Sequence, residues 1–215
     1  MIKLTKLQEP QVLKDNADKW TKELMAYVNS GSKIPDAVKN RYNNLEIKET
    51  LKHETHCKCM YCESYISVVS PEHIEHYHPQ SLYPKKTFEW ENLGLSCPWC
   101  NIKKNDKFDE EYPPINPYYE DPNSFFISLG TMIVHKPGNI RAEISENLFD
   151  LNRPELLECR KNAINSVSLL LDRYRTTSNP TLKKILRDNI EKEMADEKPY
   201  AMCIRAYIHA SKVLT

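Results

Sequence analysis

The sequence predicts a predominantly helical α+β protein in which a small cysteine-bearing α+β core is flanked by N-terminal helices and a C-terminal helical region. Three observations carry this prediction. Only four glycines occur in 215 residues, which disfavours a sheet-rich chain full of tight turns. Apolar residues recur at helical spacing towards both ends of the chain. Five of the seven cysteines fall between Cys57 and Cys100, so the middle of the chain has a different character from its flanks.

Between Gln11 and Asn29, residues Leu13, Trp20, Leu24 and Val28 share one helix face, and the run Ser30 to Pro35 breaks it. A second helix is expected over residues 36–53, capped by Asp36, with Val38, Tyr42 and Leu45 on one side. The β-branched run Ser64 to Ser70 predicts a strand that pairs with His73 to His78 in a hairpin. The run Cys100 to Phe108 reads as a short helix beginning at or just before the second cysteine pair, and the acidic, Pro-rich run from Glu110 to Ser124 reads as a loop crossing the surface. A small hairpin turning near Gly130 follows, with another turn at Pro137 and Gly138. Three helices close the chain. Pro154 lies in the first turn of one bearing Leu156, Ala163, Val167, Leu170 and Tyr174; Leu182, Ile185, Leu186, Ile190 and Met194 mark the next; Pro199 opens the last, through Val213. The segments are then 1–56 (helical), 57–110 (cysteine-bearing core) and 111–215 (loop, hairpin and helices), expected to form one compact unit.

No apolar run approaches the roughly 18 residues of a membrane span, and the opening residues lack the continuous apolar core of a secretory signal. A cytoplasmic protein without a membrane partner is expected, and in a reducing compartment clustered cysteines read as metal ligands. The net charge is zero, with eleven basic and eight acidic side chains in residues 1–58. Nucleic-acid affinity would therefore have to come from a local patch, a metal ion or a partner, because a protein gripping phosphates alone usually shows a basic excess.

Cys59-x-x-Cys62 and Cys97-x-x-Cys100 are two knuckles of identical spacing. That spacing lets both sulfurs of a pair address one ion, and four thiolates suit a structural Zn²⁺ better than four unrelated buried cysteines do. Cys57 could stand in for one ligand, although its two-residue spacing from Cys59 makes a poorer knuckle. Cys159 and Cys203, in predicted helices, read as small core residues. Between and after the knuckles stand Glu75, His76, Pro79 and Asn92, then Asn101 and Lys104.

In that order, Cys59, Cys62, Glu75-His76-x-x-Pro79, Asn92-Leu93, Cys97, Cys100-Asn101-x-x-Lys104, the chain resembles the HNH endonuclease family in its zinc-bearing form. The likeness covers about fifty residues and implies a treble-clef-like ββα-metal core. It implies that His76 is the general base, that Asn92 holds the loop and orients that base, and that Glu75 and the Asn101 carbonyl bind a catalytic Mg²⁺ or Mn²⁺. The chemistry agrees: a neutral histidine accepts a proton from water near neutral pH, and a hard cation prefers oxygen ligands. Strand alternation places Glu75 and His76 on opposite faces, so a bulge or strand end is expected there. Lys104 is a candidate phosphate contact, with a solvated charge as the equal alternative. His73 could be an extra ligand, and His78, sharing a strand face with His76, reads as a polar loop residue. Glu75 stands where many relatives carry Asp, and Asn101 where many carry His.

The runs "LQEPQVL", "CMYCE", "IEHYHPQS", "FEWENLGLSC" and "INPYYEDP" extend the likeness to HNH subunits of Septu-type antiphage systems and related retron-associated proteins. This implies a DNA substrate and an ATPase partner of the ABC/SMC-like type. An RNA nuclease, for example one cutting transfer RNA, and a non-catalytic zinc-bearing module that recruits a partner remain as alternatives.

Overall fold

The computed structural model describes residues 1–66 and 72–213. At the N-terminal end, helix α1 (Gln11–Ser30) follows Pro10, which offers no capping side chain. The orphan amides of its first turn are met instead by Glu46, which accepts from Gln11 N at 2.6 Å and Val12 N at 3.3 Å. Gly31, at φ 65°, closes the helix in the left-handed conformation. Leu13 and Leu24 are buried, while Val28 near the end is 36% exposed.

Residues 36–53 form two helices, not one: α2 (Asp36–Lys39) and α3 (Leu45–Thr55). The Asn side chains between them favour turns, and Asn44 caps α3 by accepting from Glu46 N at 2.8 Å. This restart changes the phase, so Ile47 and Leu51 turn inward and Leu45 is left 72% exposed. Asp36 is the first helical residue, with Pro35 in the cap position.

The central core is the antiparallel pair β1 (His73–His76) and β2 (Leu93–Ser96), followed by α4 (Pro98–Lys104). Glu75 lies opposite Gly94, and His76 opposite Leu93. Among the described residues, the partner of β1 is thus the strand beyond the following loop. Residues 67–70 of the strand expected over Ser64 to Ser70 lie outside the described residues, while Tyr65 makes a single bridge to Lys58. The first knuckle docks on β2 through Met60 N to Leu95 O at 2.9 Å. Gly94 admits this approach, since a Cβ there would come within 2.4 Å of Met60 Sδ.

Beyond the core, the expected surface loop contributes Ile115, Asn116 and Tyr118 to the interior. The hairpin of β3 (Phe126–Leu129) and β4 (Met132–His135) forms as expected. Helix α5 (Ile140–Leu148), which the sequence did not announce, is capped by Asn139 accepting from Ala142 N at 2.9 Å. Then come α6 (Pro154–Thr176), α7 (Pro180–Glu193) and α8 (Ala201–Ser211), the last beginning after Tyr200 at φ 58° rather than at Pro199. Among the described residues no helix is long and apolar enough to cross a membrane.

Among the described residues three apolar clusters result. One surrounds Cys59, Tyr61, Cys62 and Cys100 and includes Ile2, Phe149 and Met202. Another joins α1 and α3 to the central hairpin through Leu13, Ile47, Leu51, Leu93 and Leu95, and a third lies among α6, α7 and α8. The first two are linked by a buried ion pair. Lys6 Nζ lies 3.2 Å from Glu54 Oε2, 2.7 Å from Leu93 O and 3.6 Å from the centre of the Trp90 ring. Glu54 also accepts from Leu7 N and from the Tyr118 hydroxyl, each at 2.7 Å.

Burial pushes Lys6 down to about 8, against which the Glu54 carboxylate pulls upward. Lys6→Met is expected to cost about 3–5 kcal/mol, because it leaves the Glu54 carboxylate buried and unpaired. Lys6→Met/Glu54→Gln should recover part of that loss in urea unfolding. Between pH 8 and 10.5 the unfolded chain holds this lysine's proton more tightly than the folded one does. Across that window the wild type should therefore gain stability with rising pH relative to the double variant.

Candidate active site and thiol cluster

The four knuckle cysteines converge as their spacing predicts. The sulfurs of Cys59, Cys62, Cys97 and Cys100 all lie within 4.8 Å of one another, and Cys62 Sγ is 3.8 Å from Cys97 Sγ. A tetrahedral ion at about 2.3 Å from each sulfur sets an edge of about 3.8 Å, so the cluster has the dimensions of a zinc site. No disulfide competes for these thiols. Burial pushes the Cys59 thiol well up, and hydrogen bonding from the neighbouring cysteines pushes Cys100 up. Hydrogen bonds from Cys100 and its neighbours hold Cys62 well down. The Arg153 guanidinium, 3.9 Å from Cys62 Sγ and 5.2 Å from the Trp99 ring, adds positive charge beside the sulfurs. Cys57 is exposed and outside the cluster, as is Cys159, while Cys203 is a buried core residue.

Beside the cluster lies a cavity of about 230 Å³ whose walls include Glu75, His76 and Asn101. Strand β1 ends at His76, which is how adjacent residues reach one cavity despite alternation. His76 Nε2 lies 3.0 Å from Thr87 O. A carbonyl can only accept, so Nε2 carries the hydrogen and Nδ1 carries the free lone pair. The Gln80 amide nitrogen lies 2.9 Å from Nε2 and 3.4 Å from Nδ1; with Nε2 donating to Thr87, it can donate only to Nδ1. The ring of Tyr42 meets the imidazole edge-on at 4.5 Å. Burial, with smaller contributions from Lys104 and Lys39, depresses His76 to about 4 against the opposing Thr87 bond, so the imidazole is neutral at ordinary pH.

Lys104 is 1% exposed and is not a solvated charge. Its ammonium is taken up internally rather than offered to a phosphate: it pairs with Glu75 Oε1 at 2.7 Å and donates to His76 O at 2.7 Å. Tyr61 adds a hydroxyl to Glu75 Oε1 at 3.3 Å. Burial pushes the Glu75 carboxyl up, and Lys104 opposes that.

Asn92 staples the loop that supplies Thr87. Its Oδ1 accepts from His78 N at 2.7 Å, and its Nδ2 donates to His78 O at 3.1 Å and Lys86 O at 2.9 Å. His78 does not line the cavity; its ring packs among Tyr77, Tyr83 and Phe108. His73 also lies off the cavity wall, with Nδ1 2.8 Å from Asn101 Nδ2. Sequence reasoning missed Thr87, Gln80, Tyr42, Lys39 and Arg153. Thr87 contributes a backbone carbonyl and so leaves no side-chain signal, whereas Gln80, four residues after His76, could have been suspected from its place in the motif.

Comparison with known proteins places this geometry. Residues 59–107, from the first knuckle to just beyond α4, match the HNH endonuclease family. The Septu protein PtuB of Bacillus mycoides (strain KBAB4) is 30% identical over 238 aligned positions, covering 92% of this chain and 78% of that protein. The Septu protein PtuB of Bacillus thuringiensis is 30% identical over 158 positions, 73% of this chain and 57% of that protein. With this identity spanning nearly its whole length and an HNH match centred on the thiol cluster and cavity, the chain belongs to the PtuB family of Septu proteins, which it joins as an HNH endonuclease-family member.

Proposed function

We propose that the chain is a metal-dependent endonuclease that hydrolyses DNA phosphodiester bonds, acting as the nuclease subunit of a Septu-type antiphage complex with an ABC/SMC-like ATPase. The observation that carries this is the neutral His76, locked in one tautomer by Thr87 O, in the same cavity as Glu75 and Asn101. His76 Nδ1 accepts the proton of the attacking water. Asn92 holds the loop whose Thr87 carbonyl orients the base, so it acts through His76 and not on the substrate.

Glu75 and the Asn101 carbonyl would hold a catalytic Mg²⁺ or Mn²⁺. Both are oxygen donors on one cavity wall, the set a hard cation prefers, so the residues fit the ion. When bound, such an ion supplies charge neutralisation at the phosphate and at the departing oxygen. Lys104 fixes Glu75 and the end of β1, a positioning role in place of the phosphate contact. The four cysteines would hold a structural Zn²⁺, which joins the two knuckles and is separate from the chemistry. With a net charge of zero, much of the grip on nucleic acid would come from the ATPase partner, whose presence the PtuB relatives support.

Supercoiled plasmid with Mg²⁺ or Mn²⁺, with and without the ATPase, tests the activity. Wild type should nick it and His76→Ala should be slower by about 10²–10⁴-fold, with zinc content and melting unchanged. Full activity in His76→Ala would remove the base assignment, and no cutting in any mixture with zinc confirmed would overturn the DNA endonuclease. Cys59→Ser should lose stoichiometric zinc and melt at a lower temperature, since a structural ion contributes folding free energy. Unaltered zinc content and melting would refute the structural site.

A further inference from the structure

We propose that a second cavity beside the catalytic one receives a single unpaired nucleobase next to the phosphate being cut; this rests on the nuclease reading above. The cavity, of about 160 Å³, has apolar walls from Leu24, Val28, Ile34 and Pro84. Its remaining lining is Lys39, Gln80, Ser81 and Thr87, and the first three of these also line the cavity that holds His76. The two spaces therefore meet at a shared polar wall.

Each part of a nucleotide finds its chemical counterpart there. Base faces are apolar and suit aliphatic walls, while base edges need donors and acceptors, which the Gln80 amide and Ser81 hydroxyl supply. Lys39 lines both cavities, at the junction where the connecting phosphate would pass, and among the described residues no acidic side chain lines the second cavity. Its size suits one base and not a base pair, so the base must be unpaired, as in single-stranded DNA or RNA or an extruded nucleotide. Three of the four apolar wall residues, Leu24, Val28 and Ile34, come from α1 and the turn after it, outside the stretch that matches the HNH family.

Labelled single-stranded oligonucleotides, one DNA and one RNA of the same sequence, test this alongside copies with one abasic position scanned across the cut and a matching duplex. They are given to the zinc-loaded protein with Mn²⁺, with and without the ATPase. An abasic sugar at one position flanking the cut should lower wild-type kcat/KM roughly tenfold or more. Val28→Trp, which fills the cavity from a partly exposed position, should lose a similar factor on the intact strand and become insensitive to the abasic one. The better-cut strand identifies the source of the base. Equal cutting of intact and abasic strands by wild type, or cutting of duplex alone, would overturn the proposal. No cutting of any substrate would instead overturn the nuclease reading, and this proposal with it.

From a separate observation, the geometry assigns His73 as a positioning residue for Asn101. The Asn101 amide nitrogen can only donate, so at 2.8 Å it gives a hydrogen to His73 Nδ1. That bond pins the NH₂ end on His73 and leaves the carbonyl end for the cavity. Without it, a half-turn of the amide would present NH₂ to a cation and abolish the ligand.

Mn²⁺ affinity without substrate, followed by electron paramagnetic resonance, tests this role. His73→Ala should weaken Mn²⁺ binding about tenfold. In an Asn101→Asp background both ends of the side chain are oxygen, so His73→Ala should have no further effect. Unchanged affinity in His73→Ala, or an equal loss in both backgrounds, would overturn the assignment. If Asn101→Ala leaves Mn²⁺ binding intact, it is the ligand role of Asn101 that fails.

Discussion

Four cysteine sulfurs within 4.8 Å of one another tie the turn ahead of β1 to the turn that opens α4, and the geometry of the cavity hangs from that join. Strands of four residues give little independent stability, and a two-stranded hairpin is marginal in water. The cluster compensates by bringing α4 against the hairpin from both sides of the sequence. Asn101 follows Cys100 directly and Lys104 lies one turn on, so their positions are set by the sulfurs more than by strand pairing. The amide of Met60, inside the first knuckle, then registers the whole unit on Leu95.

Charge is buried around this unit only where it is answered. Lys104 meets Glu75, Lys6 meets Glu54, and Arg153 lies against the thiols. Such pairs seldom add net stability over apolar packing, because desolvation offsets the attraction. Their effect is to make one arrangement acceptable and its alternatives costly. Lys104 illustrates this, since its single ammonium satisfies both the Glu75 carboxylate and the His76 carbonyl, at the point where β1 ends. His76 carries no charge in the same buried setting, so its imidazole has a free lone pair to offer.

The parts of the fold that were legible in the sequence are those governed by near neighbours along the chain. Helix α1 was visible from Leu13 to Val28, and α6 from Pro154 onward, because one apolar face repeats without interruption. The division of residues 36–53 was hidden, since the local capping by Asn44 overrode an apolar spacing that ran across it. The pairing of β1 with β2 left no local mark, because strand pairing is a long-range choice that joins residues some twenty positions apart. The acidic, Pro-rich run looked superficial, yet Ile115 and Tyr118 are drawn inward by contacts with the first cluster and with Glu54.

By itself the sequence determined which side chains could do chemistry. Two cysteine knuckles at matching spacing, a Glu-His pair and an Asn directly after the second knuckle are covalent facts, and together they follow one family pattern. Tertiary structure alone decided what surrounds them. The tautomer of His76 depends on the Thr87 carbonyl, the fate of the Lys104 charge on Glu75, and the apolar wall beside the cavity on α1, some fifty residues before His76. Backbone groups are the same at every residue, and burial is a property of distant segments meeting, so neither leaves a mark in the local sequence.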